Sequence, residues 1–225
     1  MTFLGNFSQN IFNFVPTTRE TNFGTYNMGR KLTIFFEGQE KDIFRTAFGA
    51  LSYHYHPQQN IKLSLTSSAF QTDENENFDI LSEYHLGEVK MDLKEENREG
   101  ATLGIGKYHE HARNTLNATV VNIGHTGEFN GISHKLKWGA NLQREIIADQ
   151  ISEWEWRDSV GYSLPYDDEN VNLYYNMKAS NTLTSWRTTG FIQDTYKWRG
   201  DAGGFTLTGG LRAHYWTFNK ELLVS

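Results

Sequence analysis

Ile132-Ser133-His134-Lys135-Leu136-Lys137-Trp138-Gly139-Ala140-Asn141-Leu142-Gln143 is the stretch that decides the fold class. Ile132, Leu136, Trp138, Ala140 and Leu142 alternate with Ser133, Lys135, Lys137, Asn141 and Gln143. Period-2 alternation puts one set on each face of a β-strand. A helix would set Lys135 and Lys137 beside the apolar residues instead of opposite them. Upstream, Leu116, Ala118 and Val120 alternate with Thr115, Asn117 and Thr119, and Thr126–Gly131 reads as the turn. The two runs form a hairpin.

The same logic extends outward. Ala47 to His56 puts Ala47, Gly49, Leu51, Tyr53 and Tyr55 on one face. After the turn cluster Pro57-Gln58-Gln59-Asn60, the residues Ile61, Leu63, Leu65 and Ala69 share a face. If Tyr55 opposes Ile61, then Leu51 opposes Leu65 and the apolar faces coincide. A third hairpin joins about 182–198 to Phe205–Phe218 across Arg199-Gly200-Asp201-Ala202-Gly203-Gly204. Its second run is clear, with Phe205, Leu207, Leu211, Ala213 and Tyr215 on one face. In its first run Trp186, Ile192, Tyr196 and Trp198 share a face with Asp194, so its orientation stays open. Segments 72–108 and 149–181 read as long loops, and 1–30 as mostly loop. The reading is therefore all-β: an antiparallel up-and-down meander of long amphipathic strands.

Composition agrees. The 225 residues carry 15 Phe, 11 Tyr and 6 Trp, yet only 38% are hydrophobic and the mean hydropathy is −0.60. No apolar run approaches the ~18 residues of a membrane helix. A β-barrel leaves little trace in bulk hydropathy, because lipid-facing and lumen-facing residues alternate. Ile61 to Gln71 would span about 36 Å at ~3.3 Å per residue. At a tilt of ~45° that covers about 26 Å, close to the ~25 Å apolar band of an outer-membrane barrel. No cysteine is present, which excludes disulfides, thiolate metal sites and cysteine nucleophiles. The net charge of −6 disfavours a nucleic-acid partner.

The charge is uneven. Segment 72–100 has ten acids against three bases, and 149–170 has seven against one, so the two carry −13 and the rest +7. That acidity keeps neighbours apart in solution, attracts a cationic or metal-complexed ligand, or bridges through divalent cations to an anionic surface. Asp73-Glu74-Asn75-Glu76-Asn77-Phe78-Asp79 resembles the start of a calcium loop, but Phe78 stands where glycine is needed and Tyr84 where glutamate is needed. Tyr108-His109-Glu110-His111 offers two histidines with no third ligand at a telling spacing. Gly104-Ile105-Gly106 lacks the third glycine of a nucleotide site. Trp154, Trp156, Tyr166, Tyr174 and Tyr175 enrich the second long segment and are the ligand-contact candidates, by stacking. No catalytic, cofactor or metal residue is expected.

Two stretches carry a family resemblance. Thr189-Gly190-Phe191-Ile192-Gln193-Asp194-Thr195-Tyr196-Lys197-Trp198, a short turn, and Leu207-Thr208-Gly209-Gly210-Leu211-Arg212-Ala213-His214-Tyr215-Trp216 resemble a hairpin of TonB-dependent outer-membrane receptors. Phe70 to Gly87 and Gly161-Tyr162-Ser163-Leu164-Pro165 are similar to the Bacteroidetes branch. The resemblance covers about residues 40–225. It implies a slice of about six to eight strands from a 22-stranded barrel. It also implies an outer-membrane location, lipid contact, and the remainder of the barrel with its plug domain as partners. TonB would act only through that plug, to import a scarce small nutrient without enzymatic activity. The chain is expected to be a single barrel segment over 1–225, without plug, TonB box or signal peptide, and truncated at both ends. Lys62, Arg113, Lys135, Lys137 and Arg212 would then face the lumen, and Leu63, Leu65, Leu116, Val120, Leu136, Trp138 and Leu207 the lipid. The alternatives are a soluble all-β carbohydrate-binding module, built as a sandwich whose two sheets pack their apolar faces together, and a complete eight-stranded barrel.

Overall fold

The computed structural model describes residues 1–25, 28–92, 95–159, 162–170, 172–201 and 203–225, the side chains of 90–92, 95–99 and 162 excepted. The chain forms β1 (Thr2–Phe14), β2 (Arg19–Thr25), β3 (Met28–Gln58), β4 (Ile61–Asp92), β5 (Glu95–Asn130), β6 (His134–Ser159), β7 (Tyr162–Leu164), β8 (Tyr175–Gly200), β9 (Gly203–Trp216) and β10 (Glu221–Val224). They make one antiparallel sheet in the order β1-β3-β4-β5-β6-β8-β9-β10. β2 follows β1 along the edge of β3, and β7 pairs β6. The first and last strands do not pair, so the meander is an open sheet. Among the described residues no helix is long and apolar enough to cross a membrane.

No second sheet faces this one among the described residues, which rules out the two packed layers of a sandwich. Ile80 and Val89 are the only buried hydrophobic side chains among them. The protein has two faces in place of a core.

Cross-strand partners share a face, and the register sorts the side chains sharply. One face, called here the Trp138 face, carries Tyr55↔Leu63↔Gly127↔Trp138↔Ile192↔Leu211 in one row. Two rows higher it carries Leu51↔Ser67↔Ile123↔Leu142↔Thr188↔Tyr215↔Leu222. On the opposite, Lys137 face, the rows at this level read Lys62↔Glu128↔Lys137↔Gln193 and Ser52↔Thr66↔Gly124↔Asn141↔Thr189↔His214. The regular register settles the orientation of 182–198: Trp186, Ile192, Tyr196 and Trp198 join the Trp138 face. Asp194 sits there too, near the short-turn end, and pairs with His134 (Nδ1–Oδ2 2.7 Å).

Several expectations change. Segments 72–108 and 149–181 are mostly strand, not loop. β4 and β5 pair from Ile61↔Phe129 up to Asp92↔Glu95, and only 165–174 of the second segment lies outside strands among its described residues. The N-terminal 30 residues are largely strand as well. Tyr55 opposes Leu63 rather than Ile61, and an irregularity separates it from the Gln58↔Ile61 pair. Pro57 lies in that interval, where its missing N–H removes a ladder donor. The two-residue shift keeps every side chain on the same face. β5 runs on to Asn130, so Thr126–Asn130 is strand and Ile132 lies in the turn, fully exposed. With that register Val121 and Ile123 join the Trp138 face, while Leu116 and Val120 lie on the Lys137 face, opposite to expectation. Arg113 lies on the Trp138 face, not with Lys62.

Close approach fixes two glycines. A Cβ on Gly127 would meet the Trp138 indole at 2.1 Å, so the ring lies over its cross-strand partner. Gly38 has φ +101°, and a Cβ there would lie 1.9 Å from the Asp79 carbonyl oxygen. Gly38→Ala is expected to cost about 1–3 kcal/mol. Gly49→Ala, whose Cβ would meet nothing within 4 Å, should be near neutral. Denaturant titration of the two variants followed by circular dichroism checks this.

Candidate functional site

Above the apolar rows the Trp138 face turns polar, because β4 continues with Gln71, Asp73, Asn75, Asn77 and Asp79 on that side. Asp79 is the hub of the densest cluster. Its Oδ1 meets His109 Nε2 at 2.8 Å, and its Oδ2 meets His111 Nδ1 at 3.3 Å and accepts from Arg113 Nη2 at 3.0 Å. Arg113 Nη1 also donates to the Phe78 carbonyl at 2.8 Å. His111 stacks on Trp154 at 4.9 Å between ring centroids, and His109 meets the same indole edge-on at 4.8 Å. Strand alternation explains the set: positions 109, 111 and 113 share a face, and Trp154 lies directly across from His111. The cluster borders a groove of about 610 Å³ also lined by Glu37, Gln39, Lys41, Asn77 and Leu81.

Burial pushes the Asp79 carboxyl up, but hydrogen bonds from His109, Arg113 and His111 outweigh it and hold it below its ordinary 3.8. Both carboxylate oxygens are thus engaged by the three side chains. No group of three or more His, Asp or Glu is arranged to hold a metal among the described residues. The calcium-like run is a regular part of β4: Asp73, Asn75, Asn77 and Asp79 point to one face, and Glu74, Glu76 and Phe78 to the other. Such alternation prevents it from wrapping around an ion.

Charges on this face come in balanced sets. Arg45 meets Asp73 at 3.5 Å, Lys107 meets Glu83 at 2.9 Å, His85 meets Glu83 at 2.7 Å, and Lys31 meets Glu20 at 3.2 Å.

The five ligand-contact candidates do not form one wall. Trp154 and Trp156 lie within β6 on the Trp138 face, and the Trp156 indole N–H is buried without a hydrogen-bond partner. Tyr166 is an exposed residue of the 165–174 connection. Tyr174 lies under the Arg157 guanidinium at 3.6 Å from its ring centroid, and Tyr108 flanks the same cation at 5.4 Å. Glu155 holds Arg157 from the same strand face. Burial, then the Glu110 carboxylate that accepts from its hydroxyl, pushes the Tyr108 phenol up. Tyr175 begins β8 on the Lys137 face, its hydroxyl 3.3 Å from Met177 Sδ.

Sequence reasoning missed a second network, on the Lys137 face. Glu145 and Ser185 are buried. Ser185 Oγ donates to Glu145 Oε2 at 2.8 Å and accepts from the Trp216 indole at 3.1 Å. Arg187 pairs with Glu145 at 3.1 Å and lies over Trp216 at 4.3 Å. It ties β6, β8 and β9 together. The only sequence signal for it is the parity of positions 145, 185, 187 and 216, which needs the register to be read.

No protein-family model matches the chain, and no curated protein matches it significantly.

Arg113→Gln removes one donor from Asp79, so its carboxyl should titrate at higher pH than in the parent chain. The pairing stabilises the fold above the free carboxylate range and is lost as pH falls through the lowered folded value. Carboxyl ¹³C shifts against pH give both readings.

Proposed function

We propose that the chain is a segment of an outer-membrane β-barrel, a TonB-dependent receptor of the Bacteroidetes type. It contributes strands and tall external hairpins for the uptake of a scarce small nutrient. The observation that carries the reading is the height of the apolar zone on the Trp138 face. On β6 its apolar residues run over the seven positions from Leu136 to Leu142, and Ile146, beyond the border residue Arg144, extends the span to eleven. A transmembrane strand needs about 9–11. The same rows are mainly apolar on β3, β4, β5, β8 and β9, and nothing covers them among the described residues: Leu65, Ile123 and Ile192 are half exposed, and Leu207 and Leu211 are 65% exposed. An uncovered apolar surface of this extent is a contact surface.

Its borders support lipid as the contact. At the short-turn end Tyr196, Trp198 and Phe205 form an aromatic group, with Trp198 stacked on Phe205 at 5.7 Å. At the upper border Arg144 lies over Trp186 at 5.4 Å. Aromatic girdles flank the apolar band of membrane barrels. Beyond the borders the same face is charged. Opposite the apolar rows the Lys137 face is mainly polar, with Ser52, Ser64, Thr66 and Asn141 on it and Glu128 bridging Lys135 (3.2 Å) and Lys137 (3.7 Å), as a water-filled lumen requires. Ser67, His125, Thr188 and Asp194 are polar exceptions within the apolar rows. The open edges of the sheet suit continuation into the rest of a barrel, whose plug would supply the contact with TonB. The chain itself performs no catalytic step in this reading.

The absence of cysteine makes the test direct. Single cysteines at Leu65 and Leu142, and at Ser64 and Asn141, each take an environment-sensitive fluorophore in phospholipid vesicles. Quenchers attached to the lipid chains should quench the first pair strongly and the second weakly. Equal quenching on the two faces would refute the membrane reading.

A further inference from the structure

Above the apolar rows the Lys137 face differs from its reverse side. Glu40 and Asp42 of β3, Glu74 and Glu76 of β4, and Asp149 and Glu153 of β6 all lie on it. None has a Lys or Arg partner among the described residues. Their donors include amides and two hydroxyls, the Tyr175 phenol reaching Glu153 at 3.5 Å. Asn114 Nδ2 donates to Glu76 at 2.9 Å and to Glu153 at 2.7 Å, Asn181 to Asp149 at 3.2 Å, and Thr72 to Glu74 at 3.3 Å. Asn114 also accepts from the Ser152 N–H at 3.2 Å. It thereby replaces a ladder bond where β5 and β6 are unpaired between Ala112↔Glu153 and Thr115↔Gln150. That gap sits in a groove of about 400 Å³ lined by Asp42, Phe44, Glu74, Glu76, Leu116, Asp149 and Ile151 among others.

Asp42 supplies an independent observation. It lines the groove, it is only 7% exposed, and its Oδ1 is buried with no hydrogen-bond donor. A buried carboxylate oxygen without a donor is strongly disfavoured. Around it stand Phe12 and Phe14 of β1, Glu40 and Phe44 of β3, and Glu74, Glu76 and Phe78 of β4, with no cation in the set.

We propose that this groove binds an organic cation, a primary ammonium or guanidinium carried on an apolar stem. The cationic head meets Asp42 and Glu76, and the stem lies on Phe44, Leu116 and Ile151. A bare metal ion fits less well, because the six acids project side by side from strands, and no three of them are arranged for coordination among the described residues. An ammonium has three N–H donors and a guanidinium five, enough to reach carboxylates spread over neighbouring strands. The volume falls within the ~300–1,000 Å³ of small-molecule sites. Burial, then hydrogen bonding to Asp42 and the charges of Asp42 and Glu76, push the Glu40 carboxyl up. A bound cation removes that repulsion and releases the proton, so binding strengthens as pH rises through the raised carboxylate range.

The test is calorimetric titration of the full 225-residue chain in detergent micelles with 2-phenylethylammonium. Saturable binding is expected, weaker at pH 5 than at pH 7.5. Asp42→Asn and Glu76→Gln should each weaken it about tenfold or more, which is ~1.4 kcal/mol. Asp73→Asn, on the opposite face of β4, should leave it unchanged. Both test substitutions keep the side-chain shape, and an unchanged circular-dichroism spectrum separates lost binding from lost folding. Equal binding of neutral 2-phenylethanol overturns the proposal. So does unchanged affinity in both test variants, or saturable binding of calcium chloride in place of the amine. The groove lies on the Lys137 face whether or not lipid meets the other one, so its failure and that of the membrane reading are distinguishable.

Discussion

A single-layer sheet must satisfy its backbone sideways and its side chains on two separate faces. Every feature of this protein follows from that constraint. The N–H and C=O groups of β3 to β6 are taken up by neighbouring strands over 26 to 36 residues, far longer than the usual ~5–6. With no second layer among the described residues, only neighbouring side chains on the same face shield an apolar residue, as they do Ile80 and Val89. Leu63, Trp138 and Leu211 therefore share one environment along a row, and Lys62, Lys137 and Gln193 share another. A one-residue slip anywhere would exchange the two. The register is thus held by whatever separates the faces in energy.

That separation also decides what could be read from the residues alone. Hairpins were legible where one face is apolar and the other polar, as in 132–143 and 47–71. The alternation vanishes above those rows, although the strands continue. There Asp73 and Glu74, or Arg113 and Asn114, are polar on both faces, so a period-2 pattern of hydrophobicity cannot exist. Segments 72–108 and 149–181 look like loops for that reason alone. Strand 5 fails differently. Leu116 and Val120 are apolar on one parity, and Val121 and Ile123 on the other, so only the turn position separates the readings. The turn lies at Gly131-Ile132-Ser133, where the Gly131 N–H bonds to the His134 carbonyl at 2.8 Å. Five further residues of strand reverse the assignment.

The candidate sites were legible in kind but not in grouping. Aromatic and acidic residues are plain in the composition of the two segments. Their partners are not, because a sheet brings together residues far apart in sequence. Asp79 meets His109 across one strand pair, and Trp154 joins only through a second. Trp154 and Tyr175 are 21 positions apart and seem one cluster in the chain, yet parity sends them to opposite faces. Glu145, Ser185 and Trp216 have no local motif at all and meet only through the register of three strands.

Charge shows the same dependence. The bulk value of −6 conceals an excess of acid in two segments, and those segments conceal a second division between faces. Along the Trp138 face each carboxylate cluster has its cation: Asp73 has Arg45, Asp79 has Arg113, and Glu83 has Lys107. Like charges directly across a strand pair oppose folding, and among the described side chains the Lys137 face has two such pairs, Glu110↔Glu155 and Asp42↔Glu76. Arg157 beside Glu155 relieves the first. The second has no Lys or Arg beside it among the described residues, and Asp42 is the most deeply buried of the four carboxylates. The fold itself does not call for an acid there, since a neutral Asn or Thr at position 42 would remove the repulsion between the two carboxylates. The hydrogen bond between Glu40 and Asp42 offsets part of that cost, and the proposed cation in the groove would offset the rest.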